Sequence, residues 1–158
     1  MAMIHEFILV PKYNEWDWSY DNVVRDSCGE IDMLKSGIKD FVEIHDDIII
    51  YINDTLNWIP SKNPAFEDMP KGFGLNHYGI TLFDKESAPI IKNIFSGWIK
   101  IFSQAPSKFK LTGEYELGSE TYEKIQLERN KVIDSFEKMF LLANKLENEN
   151  YYLIHLGI

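Results

Sequence analysis

The chain has 158 residues, enough for one domain with a real core, and 45% hydrophobic and 14% aromatic content is too high for a disordered protein. Its 25 acidic residues against 16 basic ones give a formal net charge of -9, which repels phosphate backbones and argues against direct nucleic-acid binding. No apolar run nears the roughly 20 residues that span a bilayer. The start "MIHEFILV" lacks the basic region of a signal peptide and the lone Cys28 forbids an internal disulfide, so a cytoplasmic protein is expected.

"MIHEFILV" is β-branched and aromatic and reads as a strand stopped by Pro11. "YNEWDWSYDN" reads as an irregular aromatic connection. From Glu30 to Ile59 the apolar residues Ile31, Leu34, Ile38, Phe41, Val42, Ile48, Ile49, Ile52, Leu56 and Ile59 share one face at ~100° per residue. That spacing predicts one long helix, bent near His45 and ended by Pro60. Ser61 to Gly74 is a loop, and Leu75 to Phe83 reads as a strand. Asp84 is a candidate N-cap for a second helix with Pro89 in its early turns, reaching Phe102; apolar on most sides, it should be the most buried.

"KFKLTGEYEL" and "YEKIQLE" form a hairpin across Gly118-Ser119. A third helix follows, with Val132, Ile133, Phe136, Phe140, Ala143 and Leu146 inward, and "YYLIHLGI" closes the chain as a strand. With no repeat, low-complexity tract or linker to divide it, residues 1–158 are expected to form a single α+β domain. Its mainly antiparallel sheet of about five strands would pack against three helices, the first of them long.

"HDD" at His45, Asp46 and Asp47 suggests a metal or catalytic site. On a helix, however, consecutive residues point ~100° apart, and a helical zinc pair needs a second ligand four residues on, where Ile49 stands. His45, between Phe41 and Ile48, is therefore expected to be a core histidine, and neither metal nor cofactor is expected. The acids Asp40, Glu43, Asp47 and Asp54 fall opposite the apolar stripe together with Tyr51 and Trp58, a negative ridge with two large aromatics. Tyr and Trp are favoured interface anchors, so the ridge is a candidate docking surface for a cationic protein, with the loop acids Glu67 and Asp68 as a second patch. His5, His77 and His155 each lie in a predicted strand, and two of them could meet as a general acid and base. Cys28 is expected to be buried, and "KGFGLN" is a turn because a phosphate loop needs its glycines between a strand and a helix. GxSxG, Walker, HExxH and paired CxxC motifs are absent.

The segments "DDIIIYINDTLNWIP", "GLNHYGITLF", "SGWIKIFSQAP", "KLTGEYE", "YEKIQLERNKVIDSFEKM" and "YYLIHLGI" together resemble a family of small bacterial immunity proteins. These are the antidotes of polymorphic toxin and contact-dependent growth inhibition systems. The likeness runs from about Ile48 to the last residue, and "HLGI" is its most distinctive mark. It implies a cytoplasmic, non-catalytic protein that binds one cognate toxin C-terminal domain, a nuclease being the foremost class, by plugging the active site or capping a nearby exosite. The alternatives are a small hydrolase or nuclease using strand histidines such as His77 and His155, and an interaction module with no toxin partner.

Overall fold

The run Phe7 to Val10 buries every side chain, which a strand does only when both faces of its sheet are covered. It lies in β1 (Ile4–Pro11) of a computed structural model that describes residues 3–13 and 19–158. Residues 14–18 of the expected aromatic connection lie outside the described residues. Side by side run β2 (Asp40–His45), β1, β8 (Tyr151–Leu156), β5 (Ile80–Phe83), β3 (Pro60–Lys62) and β4 (Lys71–Phe73), every neighbouring pair antiparallel. Strands β6 (Lys108–Glu116) and β7 (Thr121–Glu128) form a separate hairpin. The helices are α1 (Met33–Ser36), α2 (Asp46–Leu56), α3 (Ala88–Phe102) and α4 (Arg129–Leu146). The fold is α+β, as composition and periodicity indicate, and no helix among the described residues is long and apolar enough to cross a membrane.

Alternation along the central strands separates two cores. Phe7, Leu9, Val42, Ile44, Phe83 and Leu153 pack against α2, α3 and α4, whose Ile49, Ile52, Phe95, Phe136 and Leu142 are fully buried. Phe95 and Phe136 meet edge to face at 5.1 Å, and Phe102 tilts over Phe109 of the hairpin. Ile8, Val10, Ile154 and Leu156 point the other way, under Val23, Ile31 and Ile38 of the segment joining β1 to β2.

The single long helix expected over residues 30–59 is replaced by helix, strand and helix. Gly37 ends α1 at φ 67, a left-handed conformation that a side chain disfavours. Val42 and Ile44 then alternate inward around the exposed Glu43, and that period of two won because β1 offers a pairing edge. Leu34, assigned to the apolar stripe, is 92% exposed. The helical period holds only in α2, for Ile48, Ile49, Ile52 and Leu56.

Smaller departures bear on the sites. The strand expected over residues 75–83 is confined to Ile80–Phe83, so His77 lies in the preceding turn, and the expected 61–74 loop contains β3 and β4. Ser87, not Asp84, is the N-cap of α3; the Asp84 carboxylate instead accepts the Glu86 N–H and pairs with Lys62 at 2.7 Å. Helix α3 is not the most buried: Ile90, Ile94 and Trp98 are only partly covered and Ile101 is 58% exposed. Cys28 is exposed, because it sits in a turn built by the Asp26 carboxylate.

Candidate functional site

The acidic ridge divides at residue 46. Asp40 and Glu43 belong to β2, not to a helix, and so do not line up with the rest. Asp40 is bound internally by Lys138 at 2.6 Å and Lys145 at 2.5 Å; burial works to raise its carboxyl, and the two lysines outweigh that and hold it below the usual range. Glu43 is raised by burial and by Glu6 and Glu30 nearby. Asp47, Tyr51 and Asp54 do share a face of α2, and Trp58 follows in the turn beyond it, 65% exposed. Glu67 and Asp68 are exposed in the turn between β3 and β4, beside the exposed Phe66.

Trp58 stands at the edge of an open groove of about 530 Å³ between α2 and α3, lined by Thr55, Ile90, Ile94, Gly97, Trp98 and Ile101. The floor is rigid: the Trp98 indole donates to Thr55 Oγ1 at 2.9 Å, and Tyr51 meets Trp98 edge-on at 5.9 Å. Sequence reasoning found Tyr51 and Trp58 but missed the α3 half. The available signal was that α3 is apolar on more faces than a sheet can cover, which indicates a second apolar surface as readily as deep burial.

A second constellation sits at the other end of α2. His155 on β8 lies opposite Phe7 on β1, which makes His5 its diagonal neighbour on the same face. Asp46 follows β2 and is diagonal to His5 in the same way, its N–H donating to Met3 C=O at 3.0 Å. The side chains form one chain of contacts: His155 Nε2 to His5 Nδ1 at 2.8 Å, His5 Nε2 to Asp46 Oδ1 at 2.8 Å, and His77 Nε2 to the same Oδ1 at 2.9 Å. His5 and His155 have no exposure at all, Asp46 is 3% exposed, and the His77 side chain is 26% exposed. Burial pushes the His155 imidazole down to about 3. It lowers His5 as well, against the opposing pull of the Asp46 hydrogen bond. Both rings are neutral near pH 7.

His77 is held by the chain end. Gly157 N–H donates to Gly79 C=O and Ile158 N–H to His77 C=O, and a β-carbon on Gly157 would stand 2.2 Å from the His77 carbonyl oxygen. The "HLGI" segment thus supplies His155 and the backbone clamp on the His77 turn.

His45 is not a core histidine. Its ring is about a third exposed and caps α2, Nδ1 accepting the Asp47 N–H at 3.2 Å, because the strand ends where the apolar stripe was assumed to continue. His45, Asp46 and Asp47 do not converge, whereas Asp46 joins residues 31 and 41 positions away through sheet pairing that no local spacing reveals. Compared with known protein families, curated proteins and solved structures, this chain matches none.

Proposed function

We propose that this chain is an immunity protein that binds a cognate cationic toxin domain, foremost a nuclease, and neutralises it by stoichiometric occlusion in the cytoplasm. The observation that carries the reading is the open α2–α3 groove: an apolar floor with Trp58 and Ile101 standing exposed at its rim, and the exposed acid Asp54 preceding Thr55 of its lining. Exposed aromatics over a rigid apolar floor are what an interface core uses, and uncompensated acids beside it steer a basic partner. The net charge of -9 extends the same field over the whole molecule.

The test is co-expression with the tagged C-terminal domain encoded immediately upstream, reading complex formation and host survival. A tight complex with rescued growth is expected. Alanine at Trp58 should weaken the complex by about 2 kcal/mol or more, while charge reversal at Asp54 should mainly slow association and flatten its salt dependence. A folded protein that neither binds nor rescues would overturn the proposal.

One observation favours a second reading, a small hydrolase or nuclease. His77 is reachable from solvent and its Nε2 lies 2.9 Å from a buried carboxylate, a pairing that suits a general base. His155 does not serve there, being sealed from solvent behind His5. Turnover with a pH limb near neutrality that disappears in His77→Gln would favour this reading.

A further inference from the structure

We propose that His5, Asp46 and His77 bind a divalent transition-metal ion, with His155 as the outer partner that orients His5. The site is independent of the toxin-binding reading. The three residues come from β1, the start of α2 and the turn before β5, yet their ligand atoms all lie within 4.8 Å of one another. Both His Nε2 atoms already lie beside one carboxylate oxygen, at 2.8 and 2.9 Å. An ion about 2.1 Å from each donor needs neighbouring donors roughly 3.0–3.4 Å apart, so the two nitrogen–oxygen pairs open by a few tenths of an ångström while the two imidazoles, up to 4.8 Å apart, draw together around the ion.

The donor set selects the class of ion. Two imidazoles and one carboxylate suit zinc, iron(II), cobalt or manganese, whereas magnesium and calcium prefer oxygen alone. Both ligand rings have to present a bare nitrogen to the ion. Asp46 is a carboxylate at 3% exposure with no lysine or arginine paired to it among the described residues, and a divalent ion supplies the charge it lacks.

Proton positions balance without any redox step. In the ion-free chain Asp46 Oδ1 accepts from His5 Nε2–H, and His155 Nε2–H donates to His5 Nδ1. With the ion bound, His5 shifts its ring hydrogen from Nε2 to Nδ1 and His77 carries its single hydrogen on Nδ1, so that both Nε2 atoms are bare. His5 then carries its proton on Nδ1 and donates to His155 Nε2, and His155 carries its own on Nδ1, a buried nitrogen that lacks a partner among the described residues. A metal-ligating histidine normally donates its second nitrogen in this way, which fixes ring and tautomer. There is also a route in: Asp46 lines a cavity of about 540 Å³ under the β6–β7 hairpin, whose wall carries Asp47, Glu114 and Glu123 and so attracts cations.

The experiment titrates the chelator-stripped full chain with Zn²⁺ by calorimetry and with Co²⁺ by visible absorption. The expected result is one ion per chain, with cobalt bands of nitrogen-and-oxygen ligation. His77→Gln and Asp46→Asn should each weaken binding at least about tenfold, and His155→Phe by about 10–100-fold, the range for outer-shell partners. Circular dichroism verifies folding, and His77→Gln, on the surface, is the variant least exposed to misfolding. The chain has four histidines, so His45→Gln is the control and should bind as the parent does. Absence of binding in the folded parent, or binding abolished by His45→Gln and kept by His77→Gln, would overturn the proposal.

Discussion

The two ends of α2 do opposite things. At its start Asp46 is sealed against two imidazoles, His5 placed by strand register and His77 by the clamped turn before β5. At its finish Thr55 and Trp58 border a groove that stands open among the described residues. The first end exchanges solvent for internal hydrogen bonds and so supports stability or a bound ion; the second leaves apolar surface wet and so has its use in association. Eleven residues of helix thus join a site legible from distances to one legible from exposure.

The sharpest way to break this contrast is to remove a side chain at each end. Asp46→Ala withdraws a buried carboxylate that two imidazoles address and leaves their N–H groups unpaired, so it should cost about 3 kcal/mol, read as a lowered urea midpoint. Trp58→Ala, on the exposed side, should change stability by less than about 0.5 kcal/mol. Equal losses at the two positions would mean that the groove is part of the folding core.

A second test concerns the chain end that holds the buried cluster. Gly157→Ala places a β-carbon against backbone that cannot swing away, and should cost about 1–3 kcal/mol. It should also raise hydrogen exchange in the Asn76–Gly79 turn, because the clamp on His77 is what it displaces.

How much of this was legible beforehand varied with the range of the contacts. The β6–β7 hairpin, β1, α4 and β8 follow from local patterns, and so does the helical stretch Ile48 to Leu56. Residues 30–47 were misread because Phe41 and Val42 satisfy the helical stripe as well as they satisfy a strand, and only pairing with β1 decides between the two. The same pairing determines which face Asp46 takes. The possibility that two strand histidines meet was visible, since His5 and His155 both fall in clear strands; their bridge through Asp46 to a turn histidine was not. Nor did the sequence separate acids held by internal lysines from acids free to meet a partner.

Asp40 and Asp54 test that last distinction. Lys138 and Lys145 hold the Asp40 carboxyl below its ordinary value of 3.8, so its contribution is complete above that pH and is lost as pH falls through the folded value. The lysines are half exposed, which limits the contribution to about 0.5–1 kcal/mol. Asp40→Asn should therefore lose that much at pH 7 and converge with the parent near pH 2 in thermal melts. Asp54→Asn, which removes an exposed carboxylate, should leave the stability at pH 7 unchanged and act on association with a partner.

A comparably small effect is the most discriminating, because it separates stability from binding at one atom. Gly97 lies mid-way along α3 on the groove floor, and an added β-carbon there would meet nothing within 4 Å. An alanine in a helix interior is favoured over glycine by about 0.8–1 kcal/mol, so Gly97→Ala should raise the melting temperature of the isolated chain. The same methyl group projects into the groove and should weaken a partner that inserts a side chain there, since overpacking an interface core is destabilising. A more stable chain with weaker toxin binding places the docking surface on α2 and α3. A more stable chain with unchanged binding moves it to Phe66, Glu67 and Asp68, the exposed patch between β3 and β4.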